Sequence, residues 1–140
     1  MQYVCDGPDG ETWFRLEDEM EAEIESELMD HAVAKHFKRN QEAASQSYTP
    51  TSPVSFEQNI GLKAHLARTM ARFVTLRNSD GDALVTAMLP PAGQEAPRFR
   101  CIIVGRSNAD PYAEHGDAIV ALASHLDMPL DRRDCYPYGR

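Results

Sequence analysis

Phe73-Val74-Thr75-Leu76-Arg77-Asn78-Ser79-Asp80-Gly81-Asp82-Ala83-Leu84-Val85-Thr86-Ala87-Met88 is the stretch that decides the fold. Two runs rich in β-branched and apolar residues flank a polar segment. Asp80-Gly81 supplies the positive-φ position that a tight hairpin demands. The segment predicts two antiparallel strands, about 72–77 and 83–89. Pro90-Pro91 ends the second. Further on, Phe99-Arg100-Cys101-Ile102-Ile103-Val104 reads as a third strand, about 98–104, completing a three-stranded meander.

Working outward, Ser55 with Gln58 three residues later has the form of a capping box. It opens a predicted helix at about 56–70, with Phe56, Ile60, Ala64 and Ala67 or Met70 at helical spacing. Gly61 weakens that helix by about 1 kcal/mol relative to Ala. On the other side of the meander, Asp110 and Pro111 suit a helix start. Ile119, Leu122, Ala123 and Leu126 form a clean apolar face that Pro129 terminates. The tail carries Tyr136 and Tyr138, expected to pack on the body or to anchor a partner.

Upstream of the body, Tyr3-Val4 and Thr12-Trp13-Phe14 have strand character around the turn Gly7-Pro8-Asp9-Gly10. A long helix is then predicted over about 17–43. Its acids crowd the first turns and Lys35, Lys38 and Arg39 lie near its end, both complementing the helix dipole. Met20, Ile24, Leu28 and Ala32 repeat every four residues, a stripe that drifts around the helix. Glu21, Glu23, Glu25 and Glu27 are expected to face water. Residues 45–55, rich in Ser, Thr and Pro, read as a linker. The chain of 140 residues is thus expected to be one domain. An N-terminal hairpin-plus-helix arm (1–44) and an α+β body (56–140) flank the linker. The expected fold class is α+β, an antiparallel sheet with helices on one face.

Charge is distributed unevenly along this layout. Residues 1–45 hold twelve Asp/Glu against four Lys/Arg, so the first third carries the whole net charge of −8. Residues 57–106 instead hold seven Lys/Arg against four Asp/Glu. Strand alternation puts Arg98 and Arg100 on one face. An acidic chain is poorly suited to duplex nucleic acid, which rewards positive charge. No apolar run approaches the ~20 residues that span a bilayer. The N-terminus lacks a secretory pattern. Three cysteines at unrelated spacings form no disulfide framework and fit a reducing, cytoplasmic setting.

The chemical motifs are sparse. His31 and His36 sit about 140° apart on a helix and cannot share a ligand face. Glu27 and His31 are four apart, but a metal site needs three or four converging ligands. Asn78-x-Asp80-Gly81-Asp82 resembles the opening of a calcium loop without its later ligands. No nucleophile elbow is present. No catalytic residue, metal or cofactor is assigned. One stretch has the layout of an anion site: a strand ending at Val104, then Gly105-Arg106-Ser107-Asn108, then a helix N-terminus. Arg106 would add a planar donor, with His115 nearby.

Two functional expectations follow. The first is a non-enzymatic interaction or regulatory protein. It would meet a protein partner, or a second copy as a homodimer, through Glu21, Glu23, Glu25 and Glu27 or through Arg98 and Arg100. The alternative is a small enzyme or ligand-binding domain that recognises an anionic metabolite with Arg106, Ser107, Asn108 and His115.

Overall fold

The computed structural model describes residues 1–93 and 101–139. It is an α+β fold built on one six-stranded mixed sheet whose strand order follows the chain. The strands are β1 (Gln2–Asp6), β2 (Thr12–Arg15), β3 (Arg72–Arg77), β4 (Ala83–Leu89), β5 (Cys101–Val104) and β6 (Cys135–Tyr136). Neighbours from β1 to β5 are antiparallel. Strand β6 runs parallel to β5.

This corrects the expected separation of an N-terminal hairpin from a three-stranded meander. Strand β2 pairs residue for residue with β3, Thr12 opposite Arg77 and Arg15 opposite Val74. The backbone N–H of Leu16 then donates to Phe73 O at 2.8 Å. Strand β6 was not anticipated. The β3–β4 hairpin forms where expected. Asn78 Oδ1 accepts the N–H groups of Asp80 and Asp82, and Gly81 has φ of 84°. Asn78 Oδ1 and Asp82 Oδ2, which accepts from Asn78 Nδ2, are therefore occupied in holding the turn.

The helices are α1 (Glu19–Met29), α2 (Val33–Gln46), α3 (Ser55–Thr69) and α4 (Tyr112–Leu126). Two departures matter. The long helix expected over 17–43 is broken, because Asp30 adopts the left-handed conformation (φ 51°, ψ 57°) that terminates a helix. Asp and Asn are among the few non-glycine residue types that tolerate it, so the break carries no glycine or proline signal. Second, Ser55 does not cap α3. Val54 occupies that position without a side-chain bond. Ser52 organises the turn instead, its hydroxyl accepting Val54 N–H and donating to Glu57.

Helices lie on both faces of the sheet, not on one. Alternation along β3, β4 and β5 sends Val74, Leu76, Val85, Ala87 and Ile103 to one side, where they join Ala118, Ile119 and Leu122 of α4. Trp13 belongs to this face and donates from Nε1 to Ala118 O at 2.8 Å. The opposite side presents Phe73, Thr75, Thr86 and Met88. There Phe73 packs with Ala22 of α1 and with Val33 and Phe37 of α2. The Phe37 and Phe73 rings are 5.3 Å apart.

Helix α3 packs on α2 through its polar and small side. His65 stacks near Tyr48, with ring centroids 5.3 Å apart, and its Nε2 lies 2.8 Å from Ser47 Oγ. Gly61 has a purpose here, since a Cβ at that position would run into the Tyr48 hydroxyl. Of the expected core stripe of α3, Phe56, Ile60, Ala64 and Ala67 face outward, while Met70 at its end is buried. Phe56 is 72% exposed and Ile60 is 55% exposed.

Candidate functional site

The orientation of α1 defines the candidate site. Ala22, Glu25 and Met29 are buried at helical positions i, i+3 and i+7, so this is the inward face. Met20, Ile24 and Leu28 point away from the core, 69%, 49% and 45% exposed. The apolar stripe therefore faces solvent, and an acid occupies the centre of the buried face.

Glu25 corrects the expectation that all four glutamates face water, for its side chain is completely buried. It is stable there because its charge is matched. Arg77 Nη2 on β3 donates to Glu25 Oε1 at 2.6 Å. The Thr86 hydroxyl on β4 donates to Oε2 at 2.5 Å. A buried carboxylate survives only with such pairing. Arg77 is itself held by Thr75 Oγ1 at 3.2 Å, which its Nε–H reaches.

The network extends to the junction between α1 and α2. Thr86 has one hydroxyl proton and spends it on Glu25, so its oxygen is left to accept. His31 Nε2 lies 2.9 Å from that oxygen and must carry the donated proton. Nδ1 then accepts the Val33 N–H, at 3.4 Å. A second proton on the ring would set two donors against each other. Burial pushes the His31 pKa below its ordinary value, the Glu25 and Asp30 charges opposing this. His31 is thus a neutral strut joining the start of α2 to the sheet. Among the described residues, no buried side-chain nitrogen or oxygen lacks a partner.

The other glutamates lie on the outside. Glu21 binds the N-terminal ammonium and accepts the Glu17 N–H at 2.7 Å. Glu23 and Glu27 are exposed and lie along one edge of the outward stripe. Glu27 and Leu28 line a groove of about 740 Å³ together with Asp82, Arg106, Glu114 and His115. The acidic helix and part of the expected anion loop are therefore neighbours. His115 Nε2 lies 3.7 Å from Glu114.

The four residues expected to bind an anion are divided. Arg106 and His115 line that groove. Ser107 instead donates to Asp30 Oδ2 at 2.8 Å. Asn108 faces a separate cavity of about 360 Å³, lined also by His31, His36, Thr86, Met88 and Tyr136. The N-terminus of α4 is already supplied with an anion. Asp110 accepts the Tyr112 N–H at 3.0 Å and pairs with Arg132 at 2.8 Å. These two contacts, the backbone bond foremost, hold its carboxyl below the usual range. Arg98 and Arg100 lie outside the described residues.

Comparison with protein-family models, with curated proteins and with solved structures returns no match. The class defined by fold and site is an α+β protein with an acid-flanked apolar helix face turned to solvent. Among the described residues, no helix is long and apolar enough to cross a membrane.

Proposed function

We propose that this protein is an interaction module whose docking face is the outer side of α1, and that its partner is a basic amphipathic helix. The observation that carries this reading is the outward stripe of Met20, Ile24 and Leu28 with the exposed Glu23 and Glu27 along one edge. Amphipathic helices dock by setting anchors spaced three or four residues apart against an apolar surface. Lysines and arginines flanking those anchors would meet Glu23 and Glu27 and steer the encounter. The adjoining groove continues this character, since Glu27, Asp82 and Glu114 outnumber Arg106 there.

Charge also argues for a heterologous partner over the homodimer expected from the sequence. A two-fold interface apposes a surface with itself. Around α1 it would gather Glu23 and Glu27 of both copies into one interface. A net charge of −8 opposes that pairing.

Titration calorimetry with a helical Lys/Leu peptide tests the reading, with a Glu/Leu peptide of the same pattern as control. Binding of the basic peptide alone is expected, weakening as salt rises. Ile24→Ser with Leu28→Ser should weaken it at least about tenfold, the equivalent of about 1.4 kcal/mol. Glu23→Gln with Glu27→Gln should flatten the salt dependence. Equal binding of both peptides, no binding, or indifference to these substitutions would overturn the proposal. So would a sedimentation dimer abolished by Ile24→Lys, which would make the occupant a second copy.

A further inference from the structure

On the face of the sheet opposite α1, the parallel pairing of β5 with β6 sets Cys101 directly beside Cys135. Both are free thiols and both are buried, 6% and 1% exposed. Adjacent strands are separated by about 4.8 Å. That lies inside the Cα separation of about 4.4–6.8 Å that a disulfide accepts. The thiols are hydrogen-bond neighbours, and the Tyr112 hydroxyl adjoins Cys135. The third cysteine cannot compete. Cys5 is on β1, four strands from β5, hence about 19 Å away at that strand spacing.

We propose that Cys101 and Cys135 are a redox pair, which peroxide converts into an intramolecular disulfide between β5 and β6. The two sulfurs divide the work. The hydrogen bond from Cys101 pulls the Cys135 thiol down, while the same bond and burial push Cys101 up. With Cys101 as its hydrogen-bond donor, the Cys135 thiolate attacks one oxygen of hydrogen peroxide. The O–O bond breaks, the sulfur becomes a sulfenic acid and hydroxide leaves as water after taking a proton. Cys101 then attacks that sulfur, displacing the sulfenic oxygen as a second water. Two thiols and one peroxide give one disulfide and two waters. A dithiol reductant reverses the step by exchange.

The bond has a structural consequence. Strand β6 consists of Cys135 and Tyr136 alone, at the edge of the sheet. The residue after Cys135 points to the opposite face. There Tyr136 and Pro137 form one wall of the cavity that also contains His31, His36 and Asn108. Oxidation would fasten that wall to β5 from behind.

The test uses the full chain, treated with hydrogen peroxide, denatured and alkylated. Reduced protein should take three labels and oxidised protein one, on Cys5. Peptide mapping should recover Cys101 joined to Cys135, and dithiothreitol should restore all three labels. Cys5→Ser should leave the cross-link intact. Cys135→Ser should abolish it, and the wild-type mapping stands whether or not that variant folds. Three labels after peroxide, a cross-link through Cys5, or separate over-oxidation of Cys101 and Cys135 would overturn the proposal.

Discussion

The two faces of the sheet are built on opposite principles. Under α4 the contact is dry: Val74, Leu76, Val85, Ala87 and Ile103 meet Ala118, Ile119 and Leu122. Under α1 the same strands present Thr75 and Thr86, and the helix answers with a carboxylate. The first face is specified by volume and hydrophobicity, which tolerate exchange among apolar residues. The second is specified by matched hydrogen bonds, which tolerate no loss of a single member. That demand fixes the rotation of α1 about its axis. With Glu25 tied inward to Arg77 and Thr86, Met20, Ile24 and Leu28 are obliged to face out.

The sharpest way to break this comparison is Glu25→Ala. It strands the Arg77 guanidinium, whose side chain is only 11% exposed, and should cost about 3–5 kcal/mol in urea unfolding. Replacing both partners, Glu25→Leu with Arg77→Met, should recover much of that loss. A neutral result for Glu25→Ala would mean that the polar face is not held by its charges. On the dry face Leu122→Ala should cost about 2–5 kcal/mol, the usual range for a buried leucine. Here no second substitution at a polar partner should rescue it.

Gly61→Ala sets about 1 kcal/mol of gained helix propensity against displacement of the Tyr48 hydroxyl, so the net change should stay within about 1 kcal/mol. Tyr48→Phe in that background should raise stability by removing the oxygen that the new methyl meets.

His31 offers a pH-dependent test of the polar face. Its folded pKa lies below the ordinary 6.5, mainly through burial. Near neutral pH the ring is uncharged in both states and contributes no slope. As pH falls through the ordinary value, the unfolded chain binds a proton that the folded one resists, so stability drops. The loss continues until the folded ring protonates. His31→Gln keeps a donor for Thr86 and should flatten this part of the profile, measured as urea midpoints across the acid range. An unchanged profile would remove His31 from the account.

The smallest effect is expected on the outer stripe. Ile24→Ser should alter stability by no more than about 0.5 kcal/mol, as exposed positions generally do. A large loss there would place that side chain in a core and undo the reading of α1.

How much of this was legible in the sequence depends on how local each signal was. The β3–β4 hairpin could be read because its alternation and its Asp80-Gly81 turn lie within one short stretch. Helix α4 carried its own apolar face, although Pro111 and not Asp110 takes the cap position, Asp110 accepting the Tyr112 N–H from one residue further back. The inward face of α1 could not be read that way. Hydrophobic periodicity selects Met20, Ile24 and Leu28 for the core, while the residue that enters it is Glu25. Its partners, Arg77 and Thr86, lie 52 and 61 positions further along the chain. The break at Asp30 was hidden because a left-handed aspartate leaves no compositional trace. Strand β6 was missed for a different reason: two residues are too few for alternation to register. Of the expected site, Glu27, Arg106 and His115 share a groove, whereas Ser107 and Asn108 turn to other neighbours.

The brevity of β6 also bears on the order in which the molecule assembles. Hairpins β1–β2 and β3–β4 close over a few residues and can form early. The last strand must instead return across the whole of α4 to reach β5, and gains only two ladder positions when it arrives. Long closures with small returns come late in folding and open first in the native ensemble. Amide exchange should therefore be fastest at the C-terminal margin of the sheet, well before its central strands release a proton.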